Sequence, residues 1–311
     1  MKTQIALALT EIAKPLTRIT VPIPEPKEHQ LLIKVSFVGI TPLDQKLRDY
    51  NIFNISSNLP AILALDLVGE VVKAGSDASN FPARSKVFSQ ALFSISNNLS
   101  GGLQQYTLHD ERFTVLVPKN ISEADVAILP INVFTSATAL FTGEGLNGGF
   151  GFRSQEQVNR KLLTTSPLPW LLLAVELPVA SSLFSLVGSP VMKELLLRLP
   201  WNLLRSYGAT HILDRKASNL ADPTKKLVGD DLVYLYDTFN RGDHTVGVSL
   251  LSNTKKRTLL HLAPGRLDES AASEKKAGFE QKQLSGASTP TQILRSAFGR
   301  CSQSGLRREW S

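Results

Sequence analysis

The stretch Trp170–Gly188, WLLLAVELPVASSLFSLVG, limits the fold more than any other part of the chain. Leu171 to Val175 is a short continuous apolar run, the pattern of a parallel strand buried on both faces. In a nucleotide-binding βαβ unit such a strand leads into a glycine-rich turn, whose bare backbone N–H groups receive a pyrophosphate at the start of a helix. Here it leads into Glu176, Leu177, Pro178 and Val179, and the next glycine is Gly188. The strand is present and its usual turn is missing.

The surrounding composition is that of a globular protein. The 311 residues are 42% hydrophobic and 20% charged, enough for two domains with cores of their own. The single cysteine, Cys301, excludes a disulfide framework and a multi-cysteine zinc lobe. No window approaches the roughly 18 apolar residues of a membrane span, and the N-terminal apolar run meets Glu11 too early for a signal sequence. No membrane partner is expected, and the chain reads as cytoplasmic. The net charge of +7 is unevenly placed: residues 149–205 carry 6 Lys+Arg against 3 Asp+Glu, and residues 289–311 carry 4 against 1. No basic stripe interleaved with aromatics accompanies it, so nucleic acid is not an expected partner.

Taken in order, residues 1–120 are β-rich. Leu31–Gly39 and Asp66–Ala74 read as strands, with Gly69 marking close backbone packing. Pro42 suits the first turn of a helix, PLDQKLRDY. Strands are also expected in LQQYTLH (103–109) and over Phe113–Pro118. Ser122 with Asp125 makes a capping-box-like start for a helix SEADVAIL that Pro130 ends, before a second helical run NVFTSATALF. After Gly149 the pattern degrades, and order returns near Leu203: a strand ending on Asp214, a helix LADPTKKLVG, a strand LVYLYDT, a helix Thr245–Ser252 and a strand TLLHLAPG. From about Ala287 the sequence has no period and reads as a loose tail. Many short strands followed by alternating helices and strands give an α/β chain, with a small β-barrel-like domain leading into an α/β domain. The histidines at 29, 109, 211, 244 and 261 lack metal or triad spacing and read as surface or packing residues.

The blocks GITPLDQKLRDY (39–50), LPAILALDLVGEVVKAG (59–75), GGLQQYTLHDERFTVLVP (101–118), SEADVAILPINVFTSATALF (122–141), SYGATHILDR (206–215), LVYLYDT (232–238) and HLAPG (261–265) together resemble the medium-chain dehydrogenase/reductase superfamily. The likeness is to its zinc-independent quinone-oxidoreductase and fungal trans-enoyl-reductase branch. It implies a GroES-like domain over residues 1–125, a Rossmann-like doubly wound domain over 126–285 disrupted at its first βα unit, and an irregular tail over 286–311. Zinc-dependent members carry a cysteine at the position of Thr41 and Gly-His-Glu where this chain has Ala64, Leu65 and Asp66. Thr41, Leu65 and Asp66 cannot make a zinc site, which wants thiolate or imidazole. The chemistry that remains is zinc-free reduction of an activated C=C, quinone or enone on a small-molecule substrate; NADP(H) as cofactor is what the resemblance implies, and a homodimer is one oligomeric state it allows. The resemblance assigns Thr41, Asp44 and Asp66 to the catalytic cleft, and Thr135, Asp237, Thr238, Leu262 and Ala263 to the cofactor. The residues themselves leave alternatives: Asp44 at a helix N-terminus, Thr135 in a helix core, Asp237 in a turn. A second function class stays open, a catalytically dead relative without a dinucleotide site.

The genetic code offers a cause for the missing turn. When the last base of each codon from Val175 onward is read with the first two of the next, the codons permit Gly-Ala-Ser-Gly-Gly-Gln-Phe-Ala-Val-Gln-Leu, the absent turn and helix. On this reading about 149–202 is translated out of frame, and the tail after Ala287 is a second such event. The coding DNA is expected to spell that run in the shifted frame; codons that do not would end the idea.

Overall fold

The computed structural model describes residues 2–91, 100–119, 121–141, 149–150, 170–173, 194–196, 211–213, 221–238, 242–262, 265–267 and 269–284. The expected turn after Leu173 and the tail lie outside them. The chain divides into two compact units, one holding residues up to Asn132 and the other beginning at Val133.

The first unit contains two antiparallel sheets. The larger is built from β3 (Gln30–Gly39), β5 (Asp66–Ala74), β6 (Lys86–Gln90), β7 (Tyr106–Asp110) and β8 (Thr114–Leu116), in the order β7-β3-β5-β6-β8. The smaller orders β2 (Thr17–Pro22), β1 (Thr3–Leu9) and β4 (Ala61–Ile62). A bridge from Ala6 to Gln104 ties β1 to the segment entering β7. β3 and β5 bring Leu31, Ile33, Leu67 and Val71 into one core with Val87. Gly69 marks close packing, as its place in the strand suggests: a Cβ there would overlap the carbonyl of Lys34. Helix α1 (Pro42–Tyr50) carries Pro42 in its first turn and buries Leu47 among Leu9, Ile55, Ala61 and Leu63.

Among the described residues of this unit, no buried side-chain nitrogen or oxygen lacks a hydrogen-bond partner. His109 sets Nδ1 2.7 Å from the Ser89 hydroxyl and Nε2 3.2 Å from the Ser100 carbonyl. Burial pulls its imidazole down to about 4, so the ring is neutral at pH 7 and acts as a packing residue. His244 and His261, in the second unit, are buried as well.

Proline 130 is a correction to the sequence reading. Instead of ending a helix that runs through SEADVAIL, it is the first residue of the next one: α2 is only Glu123–Val126, and α3 runs Pro130–Phe141. Proline is well placed at a first helical position because the N–H it lacks has no intrahelical partner there. Ser122 caps α2 as expected, its hydroxyl accepting the Asp125 N–H at 3.1 Å.

The second unit is organised on six parallel strands. In chain order they are β9 (Trp170–Leu173), β10 (Glu194–Leu196), β11 (His211–Leu213), β12 (Tyr234–Asp237), β14 (Arg257–His261) and β16 (Phe279–Gln283). Their spatial order is β11-β10-β9-β12-β14-β16, every neighbouring pair parallel. A short parallel pair, β13 (Gly242–Asp243) with β15 (Gly265–Arg266), lies outside the sheet. The described helices are α4 (Ala221–Val228), α5 (Thr245–Leu250) and α6 (Glu269–Ser273). Gly229 ends α4 in the left-handed region at φ +60°, its N–H returning to the Lys225 carbonyl. Leu232, Leu235 and Leu259 from the sheet region pack on Val248, Leu250 and Leu251 around α5. No described helix is long and apolar enough to cross a membrane.

Candidate active site

In the first unit, two of the three residues assigned to catalysis, Thr41 and Asp44, are hydrogen-bonded to each other, and the Asp44 charge acts on the third, Asp66. Asp44, in the first turn of α1, is 4% exposed. Its Oδ2 accepts the backbone N–H of Thr41 at 2.8 Å and the Thr41 hydroxyl at 2.9 Å. Its Oδ1 accepts the N–H of Ala64 at 2.9 Å, twenty residues on. Ala64 is fully buried and sits at φ +65°, where an alanine is strained. The carboxylate therefore stabilises the helix start and also holds the strained residue just ahead of β5.

Asp66 follows two residues later and is completely buried. Both its oxygens lie 3.1 Å from the backbone N–H of Ile131, in the first turn of α3. A carboxylate is favoured at a helix N-terminus. Burial nevertheless pushes the Asp66 carboxyl well above the ordinary range, the Ile131 N–H pulls against that shift, and the nearby Asp44 charge adds to it. Opposite Asp66 on β3 is Gly39, where a Cβ would overlap the Ala127 carbonyl.

The positions that the resemblance aligns with zinc ligands of zinc-dependent members are Thr41, Leu65 and Asp66. The Thr41 hydroxyl donates to Asp44, Leu65 brings no donor atom, and Asp66 is bonded to a helix terminus. Among the described residues no cluster of three His, Cys, Asp or Glu side chains could hold a metal.

In the second unit, β9 and β12 are neighbours at the centre of the sheet, and the chain runs outward from them in opposite directions. Ligands of doubly wound sheets bind at such a switch point, beyond the carboxyl ends of the strands. Asp237 and Thr238 lie at the end of β12, and Leu262 at the end of β14, its N–H donating to the Asp237 carbonyl at 3.0 Å. These three are brought together. Thr135 is buried on α3, and Ala263 lies outside the described residues.

Nothing in the sequence pointed to a role here for His244 and His261. His244, fully buried, places Nδ1 3.2 Å from the Asp237 carboxylate, where the ring N–H donates. His261 lies against it with ring centroids 4.2 Å apart, and accepts at Nε2 from Gln281 at 3.1 Å. Gly265 passes so near that a Cβ would come within 2.6 Å of His244 Nε2. The Asp237 carboxylate is therefore taken up within the sheet end. No spacing could have revealed the group, because Asp237 and His261 meet only through the β12–β14 pairing.

The sequence model of the alcohol dehydrogenase GroES-like domain matches residues 27–119. The chloroplast envelope quinone oxidoreductase homolog of Arabidopsis thaliana is 33% identical over 132 residues, 42% of this chain and 39% of that protein. The trans-enoyl reductase himH of Aspergillus japonicus is 27% identical over 195 residues, 62% of this chain and 54% of that one. The solved quinone oxidoreductase of Coxiella burnetii shares the fold at a TM-score of 0.67 and 17% identity, covering 98% of this chain and 89% of that one. Residues 27–119 thus carry the alcohol dehydrogenase GroES-like domain, and the chain as a whole is similar to medium-chain dehydrogenases/reductases. Among these, the likeness runs to the quinone-oxidoreductase and enoyl-reductase branch. This chain's aligned part spans about 39% of the length of that Arabidopsis relative.

In a nucleotide-binding βαβ unit a glycine-rich segment follows the first strand and receives the pyrophosphate. The sequence from Ala174 to Val187 contains no glycine, and Pro178 removes one N–H donor.

The Asp66 environment yields a pH test. Asp66→Asn keeps an oxygen for the Ile131 N–H and removes the titrating proton. The folded protein holds that proton to a higher pH than the unfolded chain, whose carboxyl ionises near about 3.9. Wild-type stability should therefore fall, relative to Asp66→Asn, as pH rises from about 4 through the raised folded-state value. Urea midpoints of the two proteins at pH 4 and pH 8 should separate in favour of Asp66→Asn at the higher pH; a constant difference would contradict the buried, proton-holding carboxyl.

Proposed function

We propose that this chain is built as a zinc-free reductase of the medium-chain type, acting with NAD(P)H on a small molecule with an activated C=C or a quinone. The observation that carries the reading is the donor set at Thr41, Leu65 and Asp66: one hydroxyl bound to Asp44, one aliphatic side chain, and one carboxyl on the α3 terminus. The relatives named quinone oxidoreductase and trans-enoyl reductase support the same substrate class. Thr41, Asp44 and Asp66 are assigned to the substrate side. Thr135, Thr238, Leu262 and Ala263 are assigned to the nicotinamide side, with Asp237 held by His244 as the support of Thr238. NADP(H) over NAD(H), the cytoplasm as compartment and a homodimer rest on resemblance and composition alone.

One observation favours a second reading, a relative without a working dinucleotide site. β9 stands where the first strand of a doubly wound sheet belongs, so the turn that lacks glycine is the one that should hold the pyrophosphate. A single assay separates the two. With millimolar NADPH and a quinone or enone, the first reading expects slow turnover that neither EDTA nor added zinc changes. Turnover abolished by EDTA and restored by zinc would overturn it, and no turnover by the folded protein with either nicotinamide would establish the second.

A further inference from the structure

At the amino end of β14, across the strand length from His261, lies a buried cation that no described residue neutralises. Arg257 is 1% exposed and among the largest fully buried side chains. Its Nε donates to the Lys255 carbonyl at 2.5 Å. Its Nη1 and Nη2 are buried with no hydrogen-bond partner among the described residues. Lys275, also buried, donates through Nζ to the Leu251 carbonyl at 2.6 Å and to Asn253 Oδ1 at 2.8 Å, which leaves one of its three donors. Both cations are thus fixed on one short connection, Leu251 to Lys255, between α5 and β14. Burial, and after it the Arg257 charge, lowers the Lys275 ammonium's hold on its proton.

The nearest carboxylate does not discharge them. Asp230 accepts the Ser252 hydroxyl at 3.0 Å, the Asn253 N–H at 2.7 Å, and the Thr254 N–H and hydroxyl at 3.0 and 2.6 Å. It makes no ion pair with Arg257, although its field reaches the guanidinium. Burial of a guanidinium with two open nitrogens is among the costliest arrangements a fold can hold, and an anion relieves it.

We infer that Arg257 and Lys275 form a binding site for a small oxyanion, inorganic phosphate or sulfate, at the amino end of the parallel sheet. The two Nη groups present the parallel donors that match two oxygens of such an ion, and Lys275 adds a point charge beside them. The site stands at the end of the sheet opposite the strand ends assigned to the nicotinamide, so it does not depend on the reductase reading.

Thermal unfolding of the full chain tests this, with inorganic phosphate or sulfate titrated at constant ionic strength against a bulky organic sulfonate salt. The midpoint should rise saturably, by roughly 5 °C at a hundredfold excess over the dissociation constant. Arg257→Gln should abolish the rise. Where that variant does not fold, Lys275→Met serves in its place and should move the half-saturating concentration up several-fold. An unchanged response in either variant, no saturable rise in the wild type, or an equal effect of chloride would overturn the assignment.

Discussion

The parallel pairing of β9 with β12 governs how the second unit can work. Trp170 to Leu173 stand in register with Tyr234 to Asp237, while β10 flanks β9 on its other side. That arrangement makes Trp170–Leu173 a central strand and puts the reversal of strand order between β9 and β12. Ligands of doubly wound sheets bind at such a reversal, beyond the carboxyl ends of the strands. The sequence that follows Leu173 has no glycine before Gly188, whereas dinucleotide sites at such a point use glycine-rich backbone.

The first unit shows a different economy of charge. Asp44 and Asp66 are buried near each other, yet each carboxyl is satisfied by backbone: Thr41 and Ala64 for one, Ile131 for the other. Hydrogen bonds from backbone N–H groups favour the charged form while burial opposes it, and at Asp66 burial wins. The same two residues position α1, the strained Ala64 and the start of α3. Any part they take in chemistry is thus coupled to the architecture that holds them.

Much of the local structure was legible in the sequence. α1 and β5 follow their expected bounds because Pro42, Gly39, Asp66 and Gly75 punctuate them clearly. Pro130 misled because a proline that cannot continue one helix is equally suited to begin the next. The GroES-like region was readable from its blocks, whereas strand order was not, since β9 and β12 are joined across some sixty residues of which few have a helical or strand period. The Asp237–His244–His261 group and the open Arg257 guanidinium were invisible for the same reason: each is made by neighbours in the sheet, not in the chain.

β9 lies at the centre of the parallel sheet, the sequence after it holds no glycine before Gly188, and the proposed consequence is weak dinucleotide binding. The direct measurement is a fluorescence titration of the purified protein with NADPH, beside a variant in which the residues after Leu173 are replaced by a glycine-rich turn. No saturation is expected at micromolar NADPH for the chain as it stands, and tighter binding is expected once the turn is replaced. Micromolar binding by the unaltered chain would contradict that claim.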